Sequence, residues 1–260
     1  MALFRFDLLR TFPELVHGIS DRACGSVYPE EEGGRSRLAE ALGVSPAALV
    51  STQQVHGDEI VRVPDPAYGC WHSQRGADGL ITVLPGLFLM GYFADCVPIL
   101  AYDPVHRAVG LAHAGWRGTL LRIAERLVAE MEAALGTRPQ DLRVGIGPSI
   151  GPCCYEVGGE VIAGVRERLP DGEAVLRPGR PGHAFLDLWT ANRQGLLRAG
   201  VLAAHVEVSQ QCTSCRVERF FSYRREGRLQ GLFGAAIGVR EGRGRAGGPR
   251  AGGPGARQSR

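Results

Sequence analysis

Two apolar runs, VPILAY at residues 97–102 and AVGLA at residues 108–112, flank Asp103-Pro104-Val105-His106 and commit the middle of the chain to an antiparallel hairpin. Proline at the second position and aspartate at the first are the signature of a type I turn. Pairing the strands symmetrically about the Pro104–Val105 bond sets Cys96 directly opposite His113. Directly opposed side chains have Cβ atoms about 4.5–5.5 Å apart on one face, near enough to share a metal ion or a proton. A slip of one residue would send the two to opposite faces.

The remaining chain bounds what surrounds that hairpin. With 260 residues, 44% of them apolar and 22% charged, it has enough material for a sizeable core. One domain over residues 1–239 is the expectation. There is no charged-then-apolar leader at the start and no apolar run of membrane-spanning length, so the expected location is cytoplasmic. Seven cysteines without an even framework fit reduced thiols. Every basic residue is arginine, which excludes a Schiff-base lysine, a pyridoxal anchor and a Walker A lysine. Residues 240–260, rich in Gly, Ala, Pro and Arg, read as a disordered tail that adds weak phosphate attraction. The tail carries a net positive charge and leaves the body slightly negative, so no specific nucleic-acid partner is expected. Residues 29–37 (PEEEGGRSR) read as a solvated loop.

Helical periodicity is strongest over residues 120–135, with Thr119 as the expected N-cap and Gly136 as the stop. Further helices are expected near 157–169 and 186–198. Strands are expected at 59–63, 80–83, 87–93, in the hairpin, and at 142–146, 205–208 and 234–239. This order predicts an α+β fold with mixed sheets; no Rossmann or P-loop glycine pattern is present.

Three patches carry metal-competent side chains: His56 in QQVHG, Cys96 after Ala94-Asp95, and His113 before a Gly-rich turn. Alone, His56 reads as a satisfied structural histidine and Cys96 as a small buried hydrophobe, whereas His113, entering a Gly-rich turn, points to function more than to packing. Together, one thiolate and two imidazoles are a set for zinc or copper that leaves a fourth position for water or substrate. Asp95 is a candidate supporting partner or a turn cap. After His113, Gly115, Arg117, Gly118 and a helix start suggest an anion site, the alternative being that Arg117 pairs with a local carboxylate. Trp116 either stacks a planar ring or packs. Gln53 and Arg224 are further substrate-binding candidates. Residues 145–158 form a Gly/Pro loop in which Glu156 is a candidate acid or base, or simply sits well at a helix start. Cys153-Cys154 reads as inert, and Cys212-Thr213-Ser214-Cys215 as a lone CxxC too weak to indicate a structural zinc.

The strings TQQVHG (52–57), ADGLIT (77–82), ADCVPILAYDP (94–104), AHAGWRGT (112–119), IGPSIGPCCYEVG (146–158) and CT followed by FFSYRR (212–225) together resemble the YfiH family, labelled multicopper polyphenol oxidoreductases or laccase-domain proteins. The resemblance runs from about residue 17 to 239. It implies a monomeric enzyme with a layered α/β/β/α sandwich and a zinc-binding set at His56, Cys96 and His113. It also implies phosphorolysis of purine nucleosides (adenosine, inosine, methylthioadenosine) to base and pentose 1-phosphate, together with adenosine deamination. The chain departs from the family pattern in a shortened stretch at residues 22–28 and in Gly231-Leu232, where a Gly-Arg pair is expected. Rival readings are a cysteine hydrolase using Cys96 and His113, a copper-dependent polyphenol oxidase, and a non-enzymatic metal- or RNA-interaction protein.

Overall fold

The computed structural model describes residues 3–28, 33–64 and 76–241. Its elements are, in order, α1 (Asp7–Arg10), β1 (Leu15–Ile19), α2 (Gly34–Leu42), β2 (Leu49–Val50), β3 (Ile60–Arg62), β4 (Gly79–Thr82), β5 (Phe88–Phe93), β6 (Val97–Asp103) and β7 (Ala108–Ala114). The second half adds α3 (Trp116–Leu120), α4 (Ile123–Leu135), β8 (Arg143–Ile146), β9 (Glu156–Val157), α5 (Gly159–Arg168), β10 (Leu176–Pro178), β11 (Ala184–Leu186), α6 (Leu188–Arg198), β12 (Val206–Val208), α7 (Tyr223–Glu226) and β13 (Phe233–Val239). Residues 242–260 of the expected tail (240–260) and residues 29–32 of the expected loop lie outside the described residues, while the Arg240 N–H is bonded to the Glu14 carbonyl at 2.9 Å.

Two mixed sheets stack between helices. One has strand order β1-β13-β5-β2 and the other β12-β8-β6-β7-β4-β3; a small antiparallel sheet, β10-β11-β9, lies apart. The period-2 alternation of side chains divides each strand between two cores. In β6, Leu100 and Tyr102 join Phe93, Leu111 and Ile237 between the sheets, whereas Ile99 and Ala101 face Leu127 and Met131 of α4. In β5, Leu89 and Phe93 face the second sheet while Phe88, Met90 and Tyr92 pack on Leu38 and Leu42 of α2. The result is the expected α/β/β/α layering. β5, β6, β7 and β13 are covered on both faces and buried along their whole length, and their sequences are accordingly near-continuous apolar runs, broken only by polar residues with bonded partners such as Asp103 and His113.

The hairpin forms, with a register two residues from the expected one. Asp103 pairs with Ala108, and His113 lies opposite Pro98. The cause is local: the Asp103 carboxylate accepts the N–H groups of Val105 and His106 at 2.8 and 3.3 Å, and Arg107 takes a left-handed φ of 54°, so the loop holds four residues. Type I geometry does not suit a two-residue hairpin, and a left-handed residue restores the strand twist. Because the shift is even, Cys96 and His113 keep the same face.

The helix expected at 120–135 begins three residues later, as α4 from Ile123, and stops at Gly136 as expected. Arg122, at φ 64°, separates α3 from α4, and Thr119 is not an N-cap but accepts a hydrogen bond from Asn192 Nδ2 at 3.0 Å. The break serves two packing jobs. Gly118 of α3 lies so near the Gly57 carbonyl that a Cβ there would stand 2.9 Å from it, while α4 lies across Gly110 of β7 with Leu127 and Met131 against it. Residues 34–37, expected in a loop, begin α2. The glycine pair that suggests a loop is required by close approach, because a Cβ on Gly34 would collide with the Ser26 carbonyl.

β1 contains a buried histidine. His17 Nε2 accepts the Phe6 N–H at 3.0 Å, and burial, then the charge of Arg5, pushes its pKa down to about 4. A depressed histidine is neutral when folded and protonates first when unfolded. Its contribution is therefore complete above pH 6.5 and is lost as the pH falls from 6.5 to about 4, amounting to roughly 3 kcal/mol. His17→Gln retains an acceptor for Phe6 but does not titrate. Urea denaturation at pH 7.5 and 4.5 should show a markedly smaller acid loss in this variant; an equal loss would remove His17 as the cause.

Candidate functional site

The chain crosses from one sheet to the other at residues 94–96, between β5 and β6. The sharp corner is made by Asp95, which adopts a φ of 85°. Its carboxylate is fully engaged: Oδ1 accepts the Thr213 hydroxyl at 2.6 Å and Oδ2 accepts the Arg224 N–H at 2.7 Å. Asp95 therefore ties the corner that carries Cys96 to the Thr213 loop and to the start of α7. Its carboxylate neither bonds a member of the cluster nor caps its own turn, so both roles expected for it give way to a long-range tie.

A second carboxylate does bond a member of the cluster. Asp78, buried at the start of β4, accepts His113 Nδ1 at 2.8 Å through Oδ1. It also accepts three consecutive backbone N–H groups, from Val55 at 3.1 Å, His56 at 3.0 Å and Gly57 at 2.7 Å. Such convergence needs a left-handed residue in the loop, and His56 supplies it with a φ of 61°. Nearby, the Gln54 side chain bonds both the N–H and the carbonyl of Tyr92, at 2.8 and 3.0 Å, which pins the loop to β5. Neither Asp78 nor Gln54 is among the residues the sequence singles out. The signal for Asp78 is an acidic residue between Ala77 and Gly79 directly before an apolar strand, where a buried charge requires several donors.

These supports bring His56, Cys96 and His113 together, each with one ligand atom within 4.8 Å of the others. The two imidazoles meet edge to face at 4.9 Å, and Phe93 backs His113 at 5.4 Å. His56 is exposed, Cys96 partly exposed and His113 buried, so the cluster runs from the mouth to the floor of a cleft of about 910 Å³. With Nδ1 committed to Asp78, His113 presents Nε2 to the cleft, as a metal-ligating histidine does. Gly115 leaves the space they occupy: a Cβ there would stand 2.9 Å from Cys96 Sγ and 3.2 Å from the His56 ring. A borderline thiolate and two imidazoles, with room left on the cleft side, fit a tetrahedral or distorted tetrahedral cation.

Electrostatics agree with the donor chemistry. Burial pushes the Cys96 thiol up, but the charge of His113 and hydrogen bonds from both histidines overcome it and bring the thiol down to about 6. Burial pushes His113 down, yet the Cys96 thiolate and Asp78 raise it to about 9. Without a metal, the pair rests as thiolate and imidazolium at neutral pH. Asp78 itself is held below the usual carboxylate range, its burial outweighed by the bonds from His113, Gly57 and Val55.

Gln53, Arg117 and Arg224 all line the same cleft. Arg117 lies over the Trp116 ring at 4.3 Å, and no carboxylate among the described residues forms an ion pair with it. That outcome removes the alternative of a local pair. Arg224 donates from Nη1 to the Glu156 carbonyl at 2.8 Å and lies over Tyr155 at 5.0 Å. Glu156 is not an acid or base of the cleft: its carboxylate binds Arg180, at 2.9 Å from N and 2.8 Å from Nε, because β9 turns it towards β11. The CxxC is not alone either, since Cys153 and Cys154 approach Cys212 and Cys215 to form a second cluster.

Replacing Asp78 with asparagine keeps one acceptor for His113 but turns donors towards the loop N–H groups. Metal affinity in a competition titration should fall about 10- to 100-fold. In metal-free protein the Cys96 thiolate, followed by its ultraviolet absorbance, should form at a higher pH than about 6, because His113 loses one of the two anions, with Cys96 itself, that keep it charged. Unchanged affinity and an unchanged midpoint would show that Asp78 does not orient the site.

Comparison with known proteins gives consistent results. The family model described as multi-copper polyphenol oxidoreductase laccase matches residues 31–240. Purine nucleoside phosphorylase YlmD of Geobacillus stearothermophilus is 43% identical over 213 residues, 80% of this chain and 78% of that protein. A protein from an unknown prokaryotic organism, Adenosine deaminase RL5, is 37% identical over 74% of this chain and 76% of its own length. Among solved structures, YlmD from Geobacillus stearothermophilus superposes with a TM-score of 0.83 at 36% identity, covering 93% of this chain and 97% of that one. The hypothetical protein YfiH of Bacillus licheniformis gives 0.82 at 33% identity, covering 88% and 94%. The chain belongs to the YfiH and YlmD family of enzymes, the multi-copper polyphenol oxidoreductase laccase family.

Proposed function

We propose that the protein is a metal-dependent purine nucleoside phosphorylase, acting on adenosine, inosine and methylthioadenosine, with an accompanying adenosine deaminase activity. The observation that carries this reading is the convergence of His56, Cys96 and His113 along the wall of a cleft that also holds an arginine with no carboxylate partner among the described residues. Relatives named for these two activities supply the reaction classes. A cleft of about 910 Å³ is in the range of small-molecule sites.

His56, Cys96 and His113 would hold the ion, zinc in preference to copper. When bound, zinc supplies a Lewis acid that polarises oxygen and favours an oxygen nucleophile. Arg117 binds phosphate through a charge-assisted contact. Trp116, Tyr155 and Tyr223, all lining the cleft, offer ring faces and edges to a purine. A phosphate oxygen attacks the anomeric carbon, the bond from that carbon to the purine nitrogen breaks with its electron pair leaving on the base, and a proton is delivered to the base. Gln53 and Arg224 bind and orient the nucleoside. Tyr155 is kept protonated by burial and by the charge of Cys96, so it serves as a hydrogen-bond donor in the cleft. For deamination, water attacks the purine carbon bearing the amino group and ammonia departs from the same position.

A cysteine hydrolase would draw on the same thiolate and imidazolium, but gives His56 no role. A multicopper oxidase needs several copper centres, and the remaining cluster among the described residues is all thiolate. Residues 1–239 are proposed to act as one catalytic domain, as a monomer in the cytoplasm.

Purified, metal-quantified protein incubated with inosine and phosphate should yield hypoxanthine and ribose 1-phosphate in equal amounts. Cys96→Ala should abolish turnover, and Arg117→Ala should raise the KM for phosphate about 10- to 100-fold. Turnover that survives chelation but not thiol alkylation would favour the hydrolase. No phosphorolysis of any of the three nucleosides by metal-replete protein would reject the proposal.

A further inference from the structure

Four cysteines from two distant loops meet outside the cleft cluster. Cys153 and Cys154 follow β8, and Cys212 and Cys215 follow β12; the four sulfur atoms lie within 4.8 Å of one another. Cys215 Sγ stands 3.4 Å from Cys153 Sγ and 3.4 Å from Cys154 Sγ. Four sulfurs bound at about 2.3 Å around a tetrahedral ion stand roughly 3.8 Å apart, so the cluster already approximates that arrangement. One disulfide would draw Cys215 to a single partner, whereas equal distances to two partners suit a common centre.

The surroundings suit thiolates. Cys212 is buried, and its sulfur accepts the Gly151 N–H at 3.2 Å, the kind of contact that steadies a ligating thiolate. The backbone fixes both loops independently of any ion: Thr213 donates its N–H to the Ser149 carbonyl at 3.0 Å, Ser149 donates to Gln211 at 3.2 Å, and Tyr155 and Arg216 close turns onto Gly151 and Cys212. Cys153 and Cys215 are exposed yet turn towards the shared centre, although cysteine is among the most commonly buried residues.

We propose that Cys153, Cys154, Cys212 and Cys215 form a second, structural metal site, a closed tetrathiolate that takes zinc. Four sulfur ligands leave no open position, which distinguishes it from the cleft. Binding displaces four thiol protons and changes no oxidation state. The ion staples the loop carrying Ile150 and Tyr155 to the loop carrying Thr213, whose hydroxyl holds Asp95 beside Cys96. It therefore acts as a clamp behind the cleft and does not enter the reaction, and the assignment does not rest on the proposed activity.

The test uses the full chain with His56, Cys96 and His113 all replaced by alanine, so that bound metal reports on the second cluster. Purified without chelator, it should hold one zinc per chain by elemental analysis. Exchange with cobalt should give the intense sulfur-to-cobalt charge-transfer bands and tetrahedral visible spectrum of a tetrathiolate. Adding Cys212→Ser and Cys215→Ser should abolish both; should that variant fail to fold, the cobalt spectrum of the chain with intact cysteines still decides. Absence of metal with four titratable thiols, a mass showing a disulfide among these cysteines, or a cobalt spectrum without thiolate bands would overturn the assignment.

Discussion

A single buried carboxylate organises the cleft. Asp78 accepts the His113 ring and the N–H groups of residues 55–57 at once, so the orientation of one imidazole and the path of the loop carrying the other are set by the same charge. A carboxylate taken out of water is tolerated only when its oxygens are saturated with donors, and four donors meet that requirement here. In the metal-free state the Cys96 thiolate and then Asp78 keep His113 charged against its burial, and that charge in turn favours the Cys96 thiolate. The ligands are thus pre-organised, and Cys96 is held as a thiolate, while His113 gives up a proton when an ion binds.

The layering of the fold explains why such a site can exist where it does. β5 belongs to one sheet and β6 to the other, and the chain between them must turn sharply at the seam. The two left-handed residues of the site, His56 and Asp95, lie on the segments that make this approach possible, and each is held by carboxylate bonds that offset the unfavourable backbone. α3 ends after five residues and the chain breaks at Arg122, so a short helix can lie against the 57 loop while α4 covers β7. Around the cleft, regularity gives way to positioning.

Much of this was legible in residue order. The hairpin could be read from two apolar runs and a proline turn, and the face shared by Cys96 and His113 survived a register error because the error was even. The residues proposed for the cleft come together as expected. What escaped depends on contacts between distant segments. Asp78 looks like any polar residue before a strand until its donors are known. β1, buried on both faces, lacks the alternation that marks a half-exposed strand. Cys153-Cys154 and the CxxC lie about sixty positions apart, and only the parallel pairing of β8 with β12 brings them side by side. Glu156 misled for the same reason, since its partner Arg180 lies on a loop that local sequence does not connect to it.

The family label points to copper and oxidation, the named relatives to nucleosides, and the donor set of the cleft to a single cation with an open position. The most direct measurement is anomalous diffraction at the zinc edge from crystals of the zinc-loaded protein. The account predicts a strong peak about 2.0–2.3 Å from His113 Nε2, Cys96 Sγ and a ring nitrogen of His56. No peak between those three side chains, whatever the occupancy of the four-cysteine cluster, would contradict it.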